Sequence, residues 1–157
     1  MRDPGFVAEH RGGTLSIENH RKLIHWSREC VHHVLCLPAQ PVDQRILKAL
    51  ETAGDWEEGR VPTGAAMKAS VKAHAAAREA ADPVASAVAR AAGQAVATAH
   101  MADHSLGGAL YALKAVKLAG ASVDKEKAWQ RELLGNLPEE LVDLVLSTME
   151  KKKDMFL

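Results

Sequence analysis

The side chains best suited to chemistry stand near the middle of the chain, in His100-Met-Ala-Asp-His104. Histidines four apart on a helix present two ring nitrogens on one face, the beginning of a zinc or other transition-metal site. Such a site needs a third and a fourth ligand, and no local motif supplies them. An imidazole near a carboxylate is also the start of a general acid–base pocket, and Asp103 is close enough to orient a ring. On a continuous helix Gly93, Ala97, His100, His104, Gly107 or Gly108, and Tyr111 fall near one line. Glycines on that line let another backbone approach, so the histidines should be partly buried. His74 and Arg78 belong to the inward stripe expected for the preceding helix and can meet them. The favoured reading of His74, Arg78, His100, Asp103, His104 and Tyr111 is a hydrogen-bonded network that sets the register between alanine-rich helices. A metal site on His100 and His104, and an enzyme pocket using His74, His100, Asp103 and His104, are the alternatives.

These residues must be positioned by helices, because the apolar pattern is helical throughout. Residues 1–14, with Pro4, Gly5, Gly12 and Gly13, read as an irregular lead-in. Ser16 is a good N-cap for a first helix with His20, Leu23, Ile24, Ser27, Cys30, Val31 and Val34 inward, ending before Pro38. Residues 42–58 form an amphipathic second helix, with Val42, Ile46, Ala49, Leu50, Ala53 and Trp56 on its apolar face. Glu51, Asp55 and Glu58 line its other side with Glu57 adjacent, an acidic ridge, and Gly59 is the expected C-terminal cap. Thr63 is the expected cap of a third helix whose inner stripe reads Met67, Ser70, Val71, His74, Arg78 and Ala81. Asp82-Pro83 restarts the chain. Alanine then dominates to Ala102, where a break near residues 100–104 is expected. Leu106, Leu110, Leu113, Val116 and Leu118 carry the pattern on to Gly120. A short helix capped by Ser122 and a last one opened by Pro138-Glu-Glu140 follow, with residues 151–157 a charged tail. The expected fold is all-α: a single-domain bundle (residues 15–150) of about six or seven helices around a central alanine-rich pair.

Composition narrows the classes. The 157 residues carry 20 basic and 20 acidic side chains, which argues against general nucleic-acid binding, since that needs a basic patch. No apolar run reaches the length of a membrane span, and the first residues lack the apolar core of a signal peptide. Cys30 and Cys36 fall on one helix with backbones about 9 Å apart, too far to bridge. Free, half-buried thiols fit a reducing cytoplasm. No Gly-rich phosphate loop, nucleophile elbow or paired-cysteine motif is present. A homo-oligomer packed through the alanine face is a further structural possibility.

One ordered series of residues is distinctive. It runs from Asn19-His20-Arg21 through His25-Trp26 to Ala73-His74-Ala-Ala-Ala-Arg78-Glu79. It continues with Ala91-Ala-Gly93-Gln-Ala-Val-Ala-Thr98-Ala-His100 and reaches Tyr111-Ala-Leu-Lys-Ala-Val116. This series, spread over Leu15 to Leu137, resembles an α-helical bacterial family of putative immunity proteins of polymorphic toxin systems. The resemblance implies a cytoplasmic protein that binds a cognate toxin, neutralises it by covering a surface, and needs neither catalytic residues nor a cofactor. The acidic ridge of Glu51, Asp55, Glu57 and Glu58 is then the expected partner surface for a basic toxin.

Overall fold

The structure, a computed structural model, describes residues 2–157. It is all-α: α1 (Ile17–His32), α2 (Gln44–Glu57), α3 (Thr63–Glu79), α4 (Pro83–Ala97), α5 (His104–Leu118), α6 (Val123–Leu133) and α7 (Glu139–Phe156). Short 3-10 turns occupy Pro4–Phe6, Glu9–Arg11 and Leu134–Asn136, and no strand occurs among the described residues.

Helix ends follow local chemistry. Ser16, Asp82 and Ser122 each accept a hydrogen bond from a first-turn amide, at Asn19, Ala85 and Lys125, satisfying donors with no helical partner. Asp43 does the same for α2, so that helix opens at Gln44, later than its apolar pattern suggests. Gly59 and Gly120 stop their helices at φ 75° and 77°. Thr63 is not a cap. It lies inside the first turn of α3, and its hydroxyl receives the Trp56 Nε1 hydrogen at 3.2 Å.

The centre is α4, which packs against α1, α2, α3 and α5, most extensively α5. Nine of its fifteen residues are buried, among them Ala87, Ala89, Ala91, Ala92 and Ala95. Small side chains let its neighbours close in on several sides, and the stabilisation comes from contact density rather than from area per side chain. The same logic turns α3 away from the expected stripe. Its buried face is Ala66, Ala69, Ser70, Ala73, Ala76 and Ala77, while Val71 is 65% exposed and Arg78 is exposed. The larger residues lost because the close approach of α4 admits only small ones. The alanine face is thereby buried within this chain rather than left open for a second copy.

Two apolar clusters divide the interior. One joins α1 through α5 around Ile24, Leu50, Val88 and Val96. The other gathers Phe6, Leu15, Leu23, Trp26, Leu106, Leu134, Leu141 and Val145. The N-terminal segment enters the second through Phe6, 2% exposed, and folds back so that Leu15 N donates to Val7 O at 3.0 Å. At the other end α7 continues through Lys151–Lys153 to Phe156, whose ring packs edge-on against Tyr111 with centroids 4.8 Å apart. Cys30 is buried and Cys36 exposed, and both are free.

Candidate functional site

The chain breaks between Ala97 and His104, and the break organises the polar groups. The last carbonyls of a helix lack helical donors. Here His20, 4% exposed, reaches across from α1 and donates Nε2–H to Thr98 O at 2.5 Å. Burial chiefly, with His10 and Arg11 adding to it and the Thr98 bond opposing, holds the His20 pKa below the ordinary histidine value. His20 therefore caps α4 as a neutral ring. Similar ties run between other helices: Ser70 Oγ–H donates to Gly93 O at 2.9 Å, and Ser27 Oγ–H to Ser105 O at 2.9 Å.

Beside these ties lie three glycine sockets. A Cβ placed on Gly93 would stand 2.6 Å from His74 Nε2, one on Gly107 2.6 Å from Gln94 Oε1, and one on Gly108 2.1 Å from Ser27 Oγ. Each glycine is thus a hole filled by a polar side chain of a neighbouring helix. At Gly108 backbone is also near, at Ala95 Cα, 3.4 Å from the added Cβ.

His74 accepts from Arg90 Nη1 at 3.0 Å through Nδ1, which leaves the proton on Nε2. Burial, then the charges of Arg90, Arg78 and His104, lower its pKa. His104 donates Nδ1–H to Gln94 Oε1 at 2.8 Å. Burial is the main cause of its lowered pKa, opposed by Asp103 and assisted by Arg2, His100 and Lys152. Asp103 accepts from Arg2 Nε at 2.7 Å and gives α5 no side-chain cap. Two rings that a continuous helix would align are parted in register by the turn, with His100 in it and His104 opening α5. Among the described residues no three His, Cys, Asp or Glu side chains converge to hold a metal ion.

The structure therefore brings His74, Asp103 and His104 to one neighbourhood, with His100 close enough to influence His104. Arg78 is exposed on α3 at the edge of this neighbourhood, its charge acting on His74, and Tyr111 lies apart, under Phe156. Sequence reasoning missed Arg90 and Gln94, which share an edge of α4 four residues apart, and the capping role of His20. The available signal was Gln94 directly after a glycine in an alanine run.

The acidic ridge is internally neutralised. Glu57 takes His25 Nδ1 at 3.0 Å and Arg28 Nη2 at 3.2 Å, while Asp55 lies 3.4 Å from Arg60, which also pairs with Glu58. Glu51 stands 3.7 Å from Lys48. Farther round the bundle, α6 is tied to α1 by His33, which meets Glu126 at 2.7 Å and stacks on Trp129, and to the interior by Gln130, its one buried residue. The Gln130 backbone carbonyl accepts from Trp26 Nε1 at 2.9 Å, and its Nε2 donates to Ala109 O at 3.1 Å. Clefts of about 440 and 380 Å³ flank this helix and its following turn.

Residues 13–137, most of the chain, match the Imm-5 like putative immunity protein family. The chain belongs to that family. No curated protein and no solved structure matches it. Membership of an immunity-protein family points to a protein partner. In this family member no helix among the described residues is long and apolar enough to cross a membrane. The match takes in α1 through α6 with His20, His74, Arg90, Gln94, Asp103 and His104, while Arg2 and α7 lie beyond it.

Proposed function

We propose that this chain is a cytoplasmic immunity protein that binds a cognate bacterial toxin and neutralises it by protein–protein contact, without chemistry of its own. The observation that carries the reading is the family match over residues 13–137. The geometry supports it in one further respect. His20, His74 and His104, the groups best suited to chemistry, are each engaged with a neighbouring helix, where they hold the bundle together. An immunity protein needs a rigid surface, and that arrangement supplies one.

The test is co-expression with a candidate toxin domain. The wild-type chain should restore growth and co-purify with the toxin in a fixed ratio. Cell death at full expression of the folded chain would sink the proposal for that toxin. The ridge of Glu51, Asp55, Glu57 and Glu58 is one candidate contact, suited to a basic toxin. The reversal Glu51→Lys/Asp55→Lys/Glu58→Lys should weaken binding if the contact lies there. Unchanged affinity removes the ridge from consideration.

A further inference from the structure

The ridge carries acids that already have partners, whereas the adjacent helix carries cations that do not. Helix α3 exposes Lys68, Lys72 and Arg78, and half-buried Arg90 of α4 meets the same helix at His74, donating to its neutral ring. None of these four enters an ion pair among the described residues. Glu79, the only acid of α3, is drawn off by Arg45 of α2 at 2.6 Å. Amid these cations stands Val71, 65% exposed. In a chain of zero formal charge, this is a local excess of positive charge around one apolar residue.

We infer that the outer face of α3, with Arg90, is the docking surface for an acidic partner. The partner is a protein surface rich in aspartate and glutamate with a shallow apolar depression that takes Val71. This rests on the immunity reading, in which that partner is the toxin. Unpaired cations favour such a surface because binding breaks no ion pair within the chain, whereas a basic partner on α2 must displace Lys48 and Arg60 first. A central apolar side chain within a charged surround is also how contact area and specificity combine at protein interfaces.

Two measurements test this inference. In co-expression with the toxin, Lys68→Glu/Lys72→Glu/Arg78→Glu should lose protection. Lys125→Glu/Lys127→Glu/Arg131→Glu, the same change of charge on exposed positions of α6, should keep it. If both triple variants protect as wild type does, the α3 face is wrong and the immunity reading stands. If wild type itself fails to protect, the immunity reading fails for that toxin, and the second measurement decides the face alone. It is the fluorescence anisotropy of a labelled, glutamate-rich helical peptide bearing leucine on one side, with circular dichroism confirming that every variant is folded. Binding should weaken about tenfold or more in the α3 triple and about threefold in Val71→Asp, and remain near wild type in the α6 triple. Equal losses in the two triples, no saturable binding by wild type, or tighter binding of a duplex DNA of equal charge would each overturn the proposal.

Discussion

His20, His74 and His104 share one electrostatic property: burial holds all three below the ordinary histidine pKa. The folded chain keeps these rings neutral, while the unfolded chain protonates them near pH 6.5. Their stabilisation is therefore complete above about pH 6.5 and is lost as pH falls through the lowered folded-state values. Urea midpoints measured from pH 7.5 down to pH 5 should decline steadily, and His74→Gln/His104→Gln should flatten part of that slope. A wild-type midpoint that holds constant over the range would contradict the assignment. The sequence made these residues conspicuous but not their duties. Histidine spacing was read on a continuous helix, and the break at Thr98 changed which atoms each ring meets. His20 was assigned correctly to the buried stripe of α1, yet its acceptor lies on α4, far away in sequence. Long-range pairing of that kind leaves no local pattern.

Among the elements, glycine substitutions should act with opposite signs according to what stands over the Cα. Gly64, in the first turn of α3, has nothing within 4 Å of an added Cβ. Gly64→Ala should stabilise by about 0.5–1 kcal/mol through helix propensity. Gly108 also lies in a helix, but its new methyl would collide with the fully buried Ser27 hydroxyl. Overpacking costs about 1–3 kcal/mol against a propensity gain of up to about 1, so Gly108→Ala should lower stability by about 1–2 kcal/mol. Chemical denaturation of both variants checks the pair of signs. Helix α6 offers a different contrast, since Gln130 is its one buried residue. In Gln130→Ala the amides of residues 123–133 should exchange about tenfold faster while those of α4 keep their protection, as hydrogen-exchange mass spectrometry would report. Existence and type of the helices were legible from caps and periodicity, and α1 and α2 bury the faces their apolar patterns assigned. Helix α3 was misread because its pattern weighs side-chain size, and the presence of α4 against its alanines reversed the preference.

At the scale of the whole molecule, charge balances in sum and not in place. The acids of α2 are paired with their neighbours, while Lys68, Lys72, Arg78 and Arg90 are free of carboxylate partners among the described residues. Long-range attraction of an acidic partner should then govern how fast a complex forms. The association rate with the toxin is expected to fall about tenfold or more between roughly 0.02 and 0.5 M salt, with little change in dissociation. Stopped-flow mixing at several salt concentrations measures both, and a salt-independent association rate would contradict a charged docking face. Total composition hid this polarity, because pairing depends on which helices lie side by side. The glycine sockets bear on the same question from within. They keep the polar groups that secure the bundle on interior edges, while the side chains assigned to recognition face outward from α3. On that assignment stability and partner choice are written in largely separate sets of residues, joined at Arg90, which also donates to His74. If the α3 face is the docking surface, substitutions at Lys68, Val71, Lys72 and Arg78 should change partner choice while the interior, and with it the stability, stays as it is.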